Sequence, residues 1–155
     1  MCIRDSNGGL AVTRILLISG PNLNLLGQRE PEVYGESTLE DYVSRAESVA
    51  KEYGFELTHR QYNDEGSIVE EIQSARETHQ AIIINPGALT HYGWSIHDAL
   101  AAFEGPIVEL HISNPNAREP WRHTSVVAPV ATGSIMGFGG YGYELAVHAL
   151  ADSLK

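Results

Sequence analysis

Short apolar runs alternate with helix-patterned stretches along most of this chain, and that alternation limits its fold more than any other feature. Ile15-Leu16-Leu17-Ile18 and Ala81-Ile82-Ile83-Ile84 are apolar at every position. Unbroken runs of this kind suit strands buried on both faces. The first strand reads as about Arg14 to Ser19. Phe55–Gln61 alternates apolar and polar residues, as a second strand nearer an edge does. Ala81–Ile84 is the third strand, Ile107–Ile112 the fourth, and a fifth lies within Val126–Met136. Between the first two, Leu39, Tyr42, Val43, Ala46, Val49, Ala50 and Tyr53 recur at three- and four-residue steps and form one apolar helix face. Thr38 with Asp41 makes a capping arrangement for that helix, and Gly54 is a C-terminal stop. Ser67 with Glu70 predicts the cap of a second helix, running to about Glu77 with Ile68, Ile72 and Ala75 inward. A third helix turns Ile96, Leu100 and Phe103 inward, and a last one spans about Tyr143 to Leu154.

Strands that alternate with helices imply a parallel sheet with right-handed crossovers and helices on both faces. With five strands, the expected class is α/β, flavodoxin-like, in the strand order 2-1-3-4-5. In open sheets of this kind ligands bind beyond the carboxyl ends of the strands, where the order reverses. Strands one, three and four end in polar loops, Gly20–Gly35, Asn85–His91 and Ser113–Arg122, so the polar chemistry converges on one cleft. The first loop, GPNLNLLGQREPEVYG, holds sixteen residues, among them two Asn, one Arg, two Glu, one Tyr, two Pro and three Gly. Connections in compact α/β units usually take about 2–6 residues. Leu23, Leu25, Leu26 and Val33 give this long one its own apolar anchors, which marks a functional loop rather than a linker.

The 155 residues are read as a disordered extension, Met1–Val12, followed by one domain over residues 13–155. A formal charge of −10 argues against broad nucleic-acid binding, which needs clustered Lys and Arg. The single cysteine, Cys2, supplies no disulfide framework, and a reducing, cytoplasmic setting fits. No apolar run approaches the ~18–20 residues that span a membrane.

Four chemistries compete for the cleft. Gly137-Phe138-Gly139-Gly140-Tyr141-Gly142 matches the dinucleotide pattern GxGxxG, but only one helix follows it and no acidic residue stands ~20 positions on, so it reads as tight strand-to-helix packing. His91, His97, Asp98, Glu109 and His111 invite a metal, yet no HExxH or Cys/His pair is present. His59, His79, His123 and His148 read as incidental. Neither Gly93-Trp94-Ser95 nor Gly133-Ser134 makes a nucleophile elbow. The remaining chemistry is cofactor-free acid–base catalysis, with Tyr34 closing the long loop, Arg29 and Arg118 as cationic partners, and His111 ending strand four. A free Tyr is only ~0.1% ionised at neutral pH, and cationic neighbours raise that fraction. The alternative is that Tyr34 packs the loop and Arg29 pairs with Glu30 or Glu32. At the level of class, the choice lies between an enzyme and a binding module of the same fold that holds an anion or nucleotide without turnover.

GPNLNLLGQREPEVYG, RQYNDEG, IIINPGALTHYGWSIHDAL, VELHISNPNARE and GFGGYGYELAVHAL, in this order and spacing, strongly resemble type II 3-dehydroquinate dehydratase over roughly Arg14 to Ala151. The resemblance implies dehydration of 3-dehydroquinate to 3-dehydroshikimate, in the shikimate pathway, through an enolate and with no cofactor or metal. It implies Tyr34 as base, ionised with help from Arg29, His111 as general acid, and Asn22 holding a water against the enolate. Asn85, His91 and Arg122 match groups that hold ring hydroxyls, and Ile112 and Ser113 match the pair that binds the substrate carboxylate. Glu109 is implied to orient the catalytic groups and Arg118 to support the lid or the tyrosinate. Asp98 matches a residue supplied by a neighbouring subunit, the family assembling trimers into dodecamers. Tyr92-Gly93-Trp94 and His97 stand where relatives often carry smaller residues and a basic side chain, beside that subunit contact.

Overall fold

The computed structural model describes residues 2–4, 10–28, 30–34 and 36–155. Two short strands, β1 (Cys2–Arg4) and β2 (Leu10–Val12), pair antiparallel in a separate ribbon. The leader, expected to be disordered, therefore contains a strand pair. The main sheet contains β3 (Arg14–Ser19), β4 (Glu56–Gln61), β5 (Ala81–Asn85), β6 (Ile107–His111) and β7 (Gly133–Met136). Its order is β4-β3-β5-β6-β7 and every pairing is parallel, the 2-1-3-4-5 order expected from the strand and helix alternation.

The uninterrupted apolar runs occupy the middle of this sheet, and their residues divide between its two faces. Ile15, Leu17 and Ile83 pack with α2 (Leu39–Glu52) and α5 (Tyr141–Ser153), while Leu16, Ile18, Ile82 and Ile84 pack with α3 (Glu65–Ala75) and α4 (Trp94–Ala101). Ile15 through Ser19 are fully buried, and each such Leu or Ile contributes about 1.5–3 kcal/mol through burial. β4, at one edge, is only partly covered, as its alternating pattern requires. Thr38 and Asp41 form a full capping box on α2: the Asp41 backbone N–H donates to the Thr38 hydroxyl at 3.2 Å, and the Thr38 N–H donates to the Asp41 carboxylate at 2.9 Å. Tyr53, expected on the buried face, is the C-cap and is exposed. The cap of α3 is Asp64, which accepts from the Ser67 backbone N–H at 2.9 Å, and the helix stops at Ala75 rather than near Glu77. Asp64 is an equally good N-cap three residues upstream, and it captured the orphan N–H first.

The glycine-rich segment before α5 is a packing device. A Cβ on Gly140 would overlap the Tyr42 ring, and one on Gly142 would lie 2.7 Å from Leu110. Their absence lets α5 lie against the sheet, with Tyr143 stacked on Tyr42 at 5.8 Å.

Candidate active site

Strand order reverses between β3 and β5, and the loops leaving their carboxyl ends meet backbone to backbone. A Cβ on Gly20 would lie 2.5 Å from the Pro86 carbonyl oxygen, so only glycine permits this approach. The Gly20 N–H donates to the Asn85 carbonyl at 2.8 Å. Just beyond, Asn22 adopts a left-handed conformation (φ 69°) that Asn tolerates better than most residues. β4 holds this floor from the side: Gln61 Nε2 donates to the Gly20 carbonyl and to Asn63 Oδ1, and Asn63 Oδ1 accepts the Asn22 N–H, each at 3.1 Å.

After a 3-10 turn at Leu23–Leu25, the chain leaves the floor at Gly27. Gly27 has φ 90°, and a Cβ there would sit 2.8 Å from the Glu36 carbonyl oxygen. The two ends of the excursion thus close at a neck. A one-turn helix, α1 (Pro31–Tyr34), lies within it, begun by a proline that needs no partner for its missing N–H. Tyr34 is the last residue of α1; Arg29 falls outside the described residues.

Asn22, Asn85, His91, His111, Ile112, Ser113, Arg118 and Arg122 line a single cleft, together with Pro21, Leu23, Leu26, Gly87, Ala88 and Pro115. Eight of the residues singled out from sequence therefore meet in one place. Asp98 does not; it stands exposed on α4. Glu109 lies beneath the cleft rather than in its wall. It is completely buried on β6, and its Oε2 accepts from His111 Nε2 at 2.7 Å. Residues two apart on a strand share a face, which brings these two together.

Three hydroxyls not anticipated from sequence surround the same carboxylate. Thr90 donates to Oε2 at 2.5 Å, Ser125 reaches both oxygens at 2.9 and 3.0 Å, and Ser134 lies 3.3 Å from Oε1. They come from three different segments, so no local spacing revealed them. Burial opposes ionisation of Glu109, but the hydrogen bond and charge of His111 and the bonds from Thr90 and Ser125 outweigh it. The carboxyl is held below its ordinary range.

The cleft walls are as closely tied. His91 Nδ1 donates to the Thr124 carbonyl at 2.7 Å, leaving Nε2 for a ligand. Burial lowers its pKa against the Thr124 hydrogen bond, which raises it, and the charges of His111 and Arg122 add to the lowering. Arg122 is fixed by Glu119, 2.9 Å from its Nε, and stacks 4.0 Å over the exposed Trp121 ring, which meets His91 edge-on. Arg118 Nη1 donates to the Ser113 hydroxyl at 3.2 Å. Asn85 is oriented from both ends: Oδ1 accepts the Gly87 N–H and Nδ2 donates to the Tyr143 hydroxyl, each at 3.2 Å. That hydroxyl is fully buried and its pKa is pushed up to about 12.

Of the four histidines read as incidental, His59 bonds Ser19, His79 bonds the Thr78 hydroxyl, His123 bonds the Arg118 carbonyl, and His148 bonds Tyr53. Among the described residues no group of three or more His, Cys, Asp and Glu side chains is placed to hold a metal ion.

Two arginines, two asparagines, an imidazole and a carboxylate–imidazole pair around one cleft suit proton transfer on a small, oxygen-rich anionic molecule. The fold places this cleft at the switch point of an open α/β sheet. Residues 13–151 match the model of the dehydroquinase class II family. The chain belongs to that family. It is 48% identical over 144 residues to a 3-dehydroquinate dehydratase of Anoxybacillus flavithermus, covering 93% of this chain and 97% of that one. It is 52% identical over 141 residues to a catabolic 3-dehydroquinase of Aspergillus clavatus, covering 91% and 94%. The crystal structure of a type II dehydroquinase from Propionibacterium acnes superposes with a TM-score of 0.87 at 42% identity, over 90% of this chain and 97% of that one.

Proposed function

We propose that this protein dehydrates 3-dehydroquinate to 3-dehydroshikimate through an enolate, as one domain over residues 13–155. The observation that carries the reading is the convergence of Asn22, Asn85, His91, His111 and Arg122 on one cleft in a chain of this family.

The reaction needs a base for the proton beside the ketone, charge stabilisation at the carbonyl oxygen, and an acid for the departing hydroxyl. Tyr34, as tyrosinate beside Arg29, takes the proton, and the C–H pair becomes the enolate. Asn22, held by Asn63 at 3.1 Å, orients a water against the enolate oxygen. His111 then donates a proton to the leaving hydroxyl as the C–O bond breaks. The electrons return to form the conjugated double bond, and water departs. Contributions of this kind are typically worth orders of magnitude each. Asn85, His91 and Arg122 hold the ring hydroxyls, and Ile112 and Ser113 bind the carboxylate, with Arg118 adding positive charge near Ser113. The excursion closed at Gly27 acts as the lid that brings Tyr34 and Arg29 over the cleft, so closure and activation are one event. No metal or cofactor takes part.

Asp98, exposed on α4, completes the site of a neighbouring subunit in a cytoplasmic homododecamer of four trimers. A solution mass of twelve chains is expected, and a monomer would remove that role. Catalysis is tested by adding 3-dehydroquinate and following the rise in enone absorbance. Binding of the substrate with no rise would favour a binding module of the same fold.

A further inference from the structure

The hydrogen bonds that Thr90 and Ser125 make to Glu109 can be assigned a direction, and the directions determine where the proton on His111 sits. Ser125 Oγ accepts the backbone N–H of Val127 at 3.1 Å and of Ala128 at 2.9 Å. Both its lone pairs are occupied, so it can only donate, and the Glu109 oxygens, 2.9 and 3.0 Å away, are nearer acceptors than Thr90 Oγ1 at 3.1 Å. Thr90 Oγ1 lies 3.1 Å from Ser125 Oγ, which has no lone pair left to accept. The Thr90 proton therefore goes to Glu109 Oε2, 2.5 Å away. Two hydroxyl protons already point at Oε2. A proton on that oxygen would face donors only, so Glu109 acts as an acceptor. His111 Nε2, 2.7 Å from the same oxygen, must then carry a hydrogen.

We propose that Thr90 and Ser125 are positioning residues that lock the proton on Nε2 of His111 and so reserve Nδ1 for the proton that leaves with the substrate hydroxyl. The proposal rests on the dehydratase reading above. His111 lines the cleft, and Nδ1 is its one nitrogen not turned to Glu109. In the acid step the Nδ1–H bond of the imidazolium breaks as an O–H bond forms to the leaving oxygen. The ring ends neutral, with Nε2–H still on Glu109. Without the two hydroxyls, the carboxylate is free to turn or take a proton. The imidazole is then free to place its hydrogen on Nδ1 or Nε2, and donation from a neutral Nδ1–H ring leaves an imidazolate unless Glu109 returns a proton to Nε2, so the acid step slows.

Nitrogen NMR of histidine-labelled protein, without substrate, reads the proton position directly. In the unmodified protein neutral His111 is expected as the Nε2–H form. Thr90→Val, which keeps the side-chain shape, should give a mixture of the two forms and lower kcat roughly tenfold, a step smaller than loss of the acid itself. KM should stay within about twofold, since neither hydroxyl holds the ligand. Thr90→Ser restores the hydroxyl and should restore both readouts. Ser125→Ala should act in the same direction, though it also deprives two backbone N–H groups of their acceptor. An Nδ1–H form in the unmodified protein overturns the proposal, as does a Thr90→Val variant with unchanged spectrum and kcat, or failure of Thr90→Ser to recover. The expected spectra in a protein that never turns over 3-dehydroquinate would instead overturn the dehydratase reading and leave the proton placement supported.

Discussion

Replacing Glu109 by Gln should separate chemistry from stability. The carboxylate is fully buried, and its Oε2 accepts from Thr90 at 2.5 Å, His111 at 2.7 Å and Ser125 at 2.9 Å. An amide oxygen in that place keeps the three contacts but not the charge. Hydrogen bonds to a charged group contribute about 1.5–3 kcal/mol, against about 1 kcal/mol for neutral ones, so the loss is on the order of 3 kcal/mol. Against it stands the desolvation of a buried carboxylate, several kcal/mol, which the neutral amide avoids. The amide nitrogen would face Ser134, whose hydroxyl can rotate to accept it. The two contributions nearly cancel, and stability should change by less than about 2 kcal/mol. At about 2–4 °C per kcal/mol for a chain of this size, Tm shifts by less than about 8 °C. Turnover has no such offset. The imidazolium of His111 loses its anionic partner, and kcat should fall at least about a hundredfold. Thermal unfolding and the enone assay on one preparation measure both. A folded Glu109→Gln protein with kcat within about threefold of the unmodified one would refute the role of the pair. The pH dependence carries a sign as well. Glu109 is held below its ordinary range, so it contributes stability above that range and loses it as pH falls through the folded value. The Gln variant should therefore lose Tm less steeply in acid.

Tyr34→Phe should abolish most turnover while calorimetry still records substrate binding; near-normal turnover would remove Tyr34 as the base. Arg29→Ala should move the base's apparent pKa, read from the pH–rate profile, toward alkaline values, because the tyrosinate loses a cationic neighbour; an unchanged profile would leave Arg29 a purely structural part. Tyr143→Phe should cost about 1–3 kcal/mol in denaturant unfolding, since Asn85 Nδ2 loses a buried partner, and should raise KM as Asn85 loses its anchor.

Much of this was legible in the residues themselves. The unbroken runs Ile15–Ile18 and Ala81–Ile84 carry no solvent-facing position, so they had to be central and parallel. The capping box at Thr38 and Asp41 is a local hydrogen-bond pattern and could be read locally. The second helix cap could not be resolved so well, because Asp64 and Ser67 are both competent and only the path of the chain chose Asp64. At the site, His111 was visible because it ends a strand at the cleft; Asn22 and Asn85 lie in loops that the strand pattern directed there, but they were singled out only by the family resemblance. The hydroxyls around Glu109 were not. Thr90, Ser125 and Ser134 are common residues from a turn, a loop and an edge strand, and only the sheet brings them within reach of one carboxylate. The support for Asn22 was hidden for the same reason, since Asn63 lies 41 positions away in sequence.

The central claim is that this cleft dehydrates 3-dehydroquinate by acid–base chemistry alone. The most direct test is the enone assay on protein stripped with a chelator and then treated with borohydride in the presence of substrate. Full activity is expected after both treatments, with no metal to remove and no imine to trap. Substrate binding without any rise in enone absorbance, before or after treatment, would contradict the claim.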